Sequence, residues 1–196
     1  SISGFQKNGI DAVNGNGATS GSTGTIKLSV LGGSITGAGA TSTIAQNGIL
    51  VWNRDGSSVI GTVDGTTIKD FVYSPKKTSA GILAYEGGSV PTVKNASFSN
   101  CDYYLATGSQ VMDATSNNTF AGTLPSSTTL TKLGEIQDRL LDKLDKSSSP
   151  TDNSIFIILN TAIATPNNRG IQAAINAVTD GGTVYVAAGT YNESPN

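Results

Sequence analysis

Apolar and polar residues alternate along this chain in short runs that recur at a nearly constant spacing. In Thr25–Val30, Ile26, Leu28 and Val30 take one face while Lys27 and Ser29 take the other, the two-residue period of a half-buried strand. Four segments resemble one another: Ser1-Ile2-Ser3-Gly4, Ser34-Ile35-Thr36-Gly37, Thr67-Ile68-Lys69-Asp70 and Ser97-Phe98-Ser99-Asn100. Their central apolar residues lie 33, 33 and 30 positions apart. Asn8-Gly9-Ile10, Asn47-Gly48-Ile49 and Ala80-Gly81-Ile82 form a second series. Val30, Val63 and Val93 form a third, again 33 and 30 apart. Three series in one order at about the same period predict three strands per repeat, each stacked in parallel on its equivalent at about 4.8 Å.

The columns that follow can be written residue by residue. Ile2, Ile35, Ile68 and Phe98 form one inward stack, with Ser3, Thr36, Lys69 and Ser99 as the outward column beside it. Val59, Gly61 and Val63 take the inward places of Ile26, Leu28 and Val30. Ile10/Ala12, Ile49/Val51 and Ile82/Ala84 face in on the remaining side. An antiparallel sandwich would supply turn signals but not three columns of like residues at a fixed offset. The predicted fold is all-β: a right-handed parallel β-helix with three strands per coil, plus one amphipathic helix and a short capping helix.

After Phe120 the pattern changes. Over Thr131–Lys146, Leu133, Ile136, Leu140, Leu141 and Leu144 make one apolar stripe at helical spacing, opposite a charged face. The Ser/Pro/Asp/Asn-rich run 147–153 reads as linker. Ile155–Leu159 reads as a strand. Asn168 is placed to cap a helix with an inward stripe of Ile171, Ala174, Ile175 and Val178, ended by Asp180-Gly181-Gly182. Thr183–Val186 is a further strand. The expected divisions are coils over 1–130, helix and linker over 131–153, and a capping segment over 154–196.

Composition narrows the function. Charged residues make up 13% of the chain, the net charge is −2 and the pI about 4.9, so no basic patch exists for nucleic acid. No apolar run approaches a membrane span, and no signal peptide opens the chain, which is expected to be a mature segment or an excised piece. Cys101 is the only cysteine, and there is no histidine. Internal disulfides and thiolate clusters are excluded, and Cys101 is expected to be a buried, inert thiol. No cofactor is expected.

Residues 170–194, GIQAAINAVTDGGTVYVAAGTYNES, resemble the N-terminal cap and first coil of pectin lyase-like parallel β-helix proteins. The shared pattern is a helix IQxAIxxA, a Gly-Gly turn, an apolar strand and G-T-Y-x-E. The resemblance implies an extracellular or cell-surface setting, of bacterial type. It implies no single activity, because lyases, esterases, hydrolases, tailspikes and non-catalytic surface proteins share that fold. A motif that opens such folds here lies late in the chain. Two arrangements are expected: one period of a tandem array, or 154–196 capping coil 1 of the same or a neighbouring molecule. Ile171, Ile175, Val178, Val184 and Val186 would make that capping contact, and the expected partner is the chain itself.

Candidates for chemistry are few. Polysaccharide-active members of the family carry acids and bases on outward columns, and here that column holds one charge, Lys69. Asp70-Phe71-Val72-Tyr73 is similar to the aspartate strand of pectin methylesterases, but lacks the terminal glycine and any matching second aspartate or arginine. Asp70, Arg54-Asp55-Gly56 and Asp64-Gly65 read as turns. Asp11, Asp55, Asp64 and Asp102 show no calcium-loop spacing. The sharper feature is apolar: Trp52 and Tyr85, 33 apart, fall outward on adjacent coils with Leu50 and Leu83 beside them. That stripe suits either a polysaccharide or the docked 133–146 helix, and docking is favoured. The expected function is a non-catalytic extracellular structural or adhesive module, from a tandem array or head-to-tail filament. The alternatives are a carbohydrate-active enzyme or a carbohydrate-binding surface.

Overall fold

A computed structural model describes residues 1–14, 24–53, 58–74, 76–85, 91–107, 111–113, 116–142, 155–158, 160–166 and 170–195. In chain order the strands are β1 (Asn8–Asn14), β2 (Thr25–Leu31), β3 (Ser34–Thr41), β4 (Asn47–Asn53), β5 (Ser58–Asp64), β6 (Thr67–Tyr73), β7 (Ala80–Tyr85), β8 (Thr92–Lys94), β9 (Ser97–Cys101), β10 (Tyr103–Thr107), β11 (Val111–Asp113), β12 (Thr119–Phe120), β13 (Leu140–Asp142), β14 (Ile155–Ile158), β15 (Thr161–Ala164) and β16 (Thr183–Val186). Two helices accompany them, α1 (Leu130–Gln137) and α2 (Ile171–Ala177).

The sheets follow the repeat. One runs β1-β4-β7-β10-β13, another β3-β6-β9-β12, and a third β2-β5-β8, so strands three apart in sequence are neighbours in space. Every pairing in these three sheets is parallel. The register agrees with the sequence columns: Ile10↔Ile49↔Ile82, Ile35↔Ile68↔Phe98, and Val30↔Val63↔Val93. Two of the stacks extend beyond the repeat, through Leu105 to Leu140 and through Phe98 to Phe120. Ile2 is bridged to Ile35 at the head of its column.

Inside, like residues lie on like. Ile35, Ile68, Phe98 and Phe120 are buried together, and the rings of Phe98 and Phe120 stack at 5.4 Å between centroids. Polar groups at the corners are satisfied internally, as burial demands. Asn47 donates to Asn8 Oδ1 (3.0 Å) and accepts from the Ala80 amide (3.2 Å), tying three successive strands of one sheet. Buried Gln46 accepts from the Ala38 amide and donates to the Phe5 carbonyl. Buried Asn118 accepts from the Ala96 amide (3.0 Å) and donates to the Val93 carbonyl (2.9 Å). Asn118→Ala strands both of those backbone groups and is expected to cost about 2–3 kcal/mol in urea unfolding. An unchanged midpoint would refute the bridging role.

A bend recurs two residues after the inward residue of one sheet. Gly4, Asp70, Asn100 and Gly122 follow Ile2, Ile68, Phe98 and Phe120 in this way, with φ of 71°, 66°, 47° and 75°. These are the residue types that enter left-handed backbone at least cost. In β3, which carries Ile35, the register instead shifts between Thr36 and Gly39. Asp70, read from the sequence as a turn residue, bends the strand from within β6. Its Oδ1 accepts from Asn100 Nδ2 at 2.8 Å.

Two expectations about the second half need correction. The helix over 131–146 stops at Gln137, and Leu140–Asp142 is a strand paired with β10. Leu140 is fully buried against Leu105, so the parallel ladder overrides the helical stripe; Leu144 lies outside the described residues. Leu133 and Ile136 do face the core, but at its β13 end, where α1 packs on β15.

The second correction concerns capping. Val184 and Val186 pair in parallel with Ala162 and Ala164 of β15, not with coil 1 of the same molecule. The segment forms its own small cluster around Ala162, Ala164 and Ala174, to which Ile171, Val178 and Val184 contribute. Ile175 points away and is exposed, because Ala174 is the residue α2 turns towards the small side chains of β15. Asn168 lies outside the described residues. The helix begins after Gly170, and Glu193 receives the Ile171 and Gln172 amides at 2.5 and 3.1 Å. The Tyr191 hydroxyl lies 3.0 and 2.9 Å from the carbonyls of Ala164 and Ala187. In G-T-Y-x-E, tyrosine thus ties down the strand ends and glutamate closes the helix.

Candidate functional site

The outward stripe on the β1-β4-β7 sheet has the expected register. Trp52 stands opposite Tyr85 and Leu50 opposite Leu83, with Val13 and Asp11 on the first strand. Leu50, Trp52 and Leu83 are half-buried and Val13 is exposed; the Tyr85 side chain lies outside the described residues. The helix expected to cover this stripe takes its buried residues to the other end of the stack instead. An aromatic–aliphatic strip on a flat parallel sheet can stack against the apolar face of a sugar ring.

One concave charged site was not foreseen. A cleft of about 550 Å³ opens between the β9–β10 corner and α1, lined by Lys77, Asp102, Tyr104, Lys132, Glu135 and Arg139 among others. Most of its charges are committed to the fold. The Asp102 carboxylate accepts from the amides of Tyr73 (2.7 Å) and Ser79 (3.2 Å). Lys132 is paired with Glu135 at 2.6 Å, and Asp138 accepts from the Thr165 hydroxyl at 2.5 Å. Arg139 donates to the Cys101 carbonyl, and its guanidinium lies 5.7 Å from the Tyr104 ring centre. The Asp138 and Arg139 contacts brace the end of α1 against its neighbours, whereas Asp102 ties down the Tyr73–Ser79 corner and Lys132–Glu135 is a pair within α1. Spacing could not reveal Arg139, because its partners are 35 and 38 residues away and the sequence placed it on a helical surface.

Cys101 lies beside this brace and is fully buried. Burial pushes its thiol up to about 12, outweighing the Phe71 hydrogen bond and the Arg139 charge that pull the other way. A group raised in this way stays protonated in the native protein but ionises in the unfolded chain above about 8.5. Its contribution to stability is therefore present below that pH and lost as pH rises towards 12. At pH 8 a thiol reagent is expected to label Cys101 only at the rate of unfolding. Immediate stoichiometric labelling in native buffer would show that the thiol is accessible.

At an outer corner, Asp64 is held below the usual carboxylate range, first by the Asn95 amide at 2.8 Å and then by Lys94 at 3.3 Å. Among the described residues no group of three or more His, Cys, Asp or Glu is placed to hold a metal ion. Arg54 and Asp55 lie outside the described residues. Among the described residues no helix is long and apolar enough to cross a membrane. No protein-family model, curated protein or solved structure matches the chain.

Proposed function

We propose that this chain is a non-catalytic structural or adhesive module of the extracellular space or cell surface, built as a right-handed parallel β-helix with three strands per coil. The three-strand coil is supported by parallel sheets in which every third strand is a neighbour. The right hand is supported by the near-universal preference of parallel crossovers. The observation that carries the functional reading is the state of the charged cleft. Asp102, Asp138 and Arg139 are engaged by backbone amides, by the Thr165 hydroxyl, and by a backbone carbonyl with an aromatic ring, as braces rather than as an acid–base pair, while Glu135 is an exposed carboxylate paired with Lys132. General acid–base cleavage of a glycoside needs two carboxyl groups flanking an open substrate site.

Incubation with a panel of polysaccharides, read by reducing-sugar and unsaturated-product assays, is expected to give no turnover. Turnover abolished by Asp102→Asn or Asp138→Asn would replace this reading with that of a carbohydrate-active enzyme. A second reading, a carbohydrate-binding face, is favoured by the direct register of Trp52 on Tyr85. Glycan-array binding lost in Trp52→Ala would establish it.

A further inference from the structure

Eight large apolar side chains are exposed among the described residues, and seven of them lie in the first strands or in the C-terminal segment. Ile2, Val13 and Leu31 belong to the leading members of the three sheets, whereas Leu130, Ile175, Tyr185 and Val186 belong to the segment after Phe120. Only Ile60 falls between. The most exposed large apolar side chains of the stack are therefore concentrated towards its ends.

At the leading end the interior itself is open. Phe5, Ile10, Ile26, Leu28 and Val30 are only partly buried, while Ile49, Val59 and Val63, their register partners one coil on, are 0% exposed. Among the described residues β1 and β2 are terminal in their sheets, so each offers one strand edge, the kind of edge that recruits another strand. At the opposite end β16 is likewise terminal, with Tyr185 and Val186 about half exposed. Beside it, a groove of about 440 Å³ is lined by Leu130, Ile163, Tyr185 and Val186. The charges are complementary. Lys7, just before β1, and Lys27 on β2 outnumber Asp11 at the leading end, whereas residues 170–195 carry Asp180 and Glu193 and no cation. The groove adds Asp138, while its Glu135 is paired with Lys132.

We infer that the C-terminal face of one copy, the β16 edge with its groove, docks on the leading coil of a second copy. This inference rests on the coil-stack reading above. The occupant is the chain itself because the two faces match in type: each is a strand edge bordered by apolar side chains, and they differ in sign of charge. They lie at opposite ends of one molecule, so a single copy cannot satisfy both. The contact is heterologous, and repeating it gives an open filament rather than a closed ring.

The test blocks each end separately. Leu31→Asp closes the leading end and Val186→Asp the C-terminal end; both side chains are at least half exposed, so folding should be retained. If Val186→Asp lost its native circular dichroism, Tyr185→Lys would take its place. In sedimentation velocity the parent is expected to grow in mass with concentration, and each variant alone to associate at least tenfold more weakly. An equimolar mixture of the two should form a dimer and no larger species, through the one intact face that each retains. A parent that stays monomeric at the highest attainable concentration overturns the inference. So does a variant that still polymerises, or a mixture that stays monomeric. Far-ultraviolet circular dichroism and melting temperature are read on the same samples. A native β spectrum with no association removes the assembly and leaves the stack, whereas a non-native spectrum of the parent removes the stack as well.

Discussion

Ile68→Asp is expected to leave the protein unfolded, or so destabilised that its melting transition falls far below the parent's. Ile68 is 0% exposed, lies between Ile35 and Phe98 in register, and has Gly48 and Gly81 close against it. The substitution removes an aliphatic side chain from a packed stack and sets a carboxylate there with no cation beside it. Lost packing costs about 2–5 kcal/mol, and burial of the charge several more. Their sum, on the order of 5 kcal/mol or above, equals the whole stability of many domains. Ile60 provides the control. It is an isoleucine in the adjacent sheet, but 49% exposed, so Ile60→Asp should change stability by no more than about 1 kcal/mol. Equal melting of parent and Ile68→Asp protein would show that the inward column is misplaced.

Another large effect comes from a single methyl group. The glycine series read from the sequence, Gly9, Gly48 and Gly81, has a steric basis. A Cβ on Gly48 would sit 2.5 Å from the Gly81 carbonyl oxygen and 3.2 Å from carbons of both Ile68 and Phe71. The carbonyl belongs to the neighbouring strand, so the clash is relieved only by moving one strand off the other. Gly48→Ala is expected to cost about 2 kcal/mol, overpacking being only partly offset by the lower entropy of the unfolded chain. At this chain length that is a melting shift of about 4–8 °C. Gly134→Ala is the counterpart. In α1 its nearest neighbour would be Thr165 Cγ2 at 4.0 Å, and helix propensity favours alanine by about 0.8–1 kcal/mol. Differential scanning calorimetry of the two variants should show shifts of opposite sign. Two shifts of the same sign would mean that the glycine column has slack.

How far the sequence discloses this fold depends on where the stabilising contacts lie. The columns through Ile35, Ile68 and Phe98 were legible because paired strands recur after nearly equal lengths of chain, which sets like residues at an almost constant offset. The continuation of another column from Ile82 to Leu105 and then Leu140 breaks that offset, with steps of 23 and 35. Corner loops of different length absorb the difference, so no fixed period exposes the later strands. Leu140 and Leu141 also satisfy a helical stripe with Leu133 and Ile136. What makes them a strand is the edge of β10, a contact no local window contains. Arg139 and Asp102 were hidden for the same reason. By contrast, the Trp52–Tyr85 register was legible, because both residues lie in the evenly spaced part of the stack.

Antiparallel neighbours bring α-protons of facing residues together, whereas parallel neighbours do not, because their hydrogen bonds are slanted and evenly spaced. A nuclear Overhauser spectrum of the isotopically labelled protein therefore tests the stack directly. Interstrand contacts should connect Ile10 to Ile49, Ile49 to Ile82, and Leu105 to Leu140, with no close α-proton pairs between consecutive strands β2 and β3. Strong α-proton contacts pairing β2 with β3, or β5 with β6, in antiparallel order would contradict a stack of parallel coils.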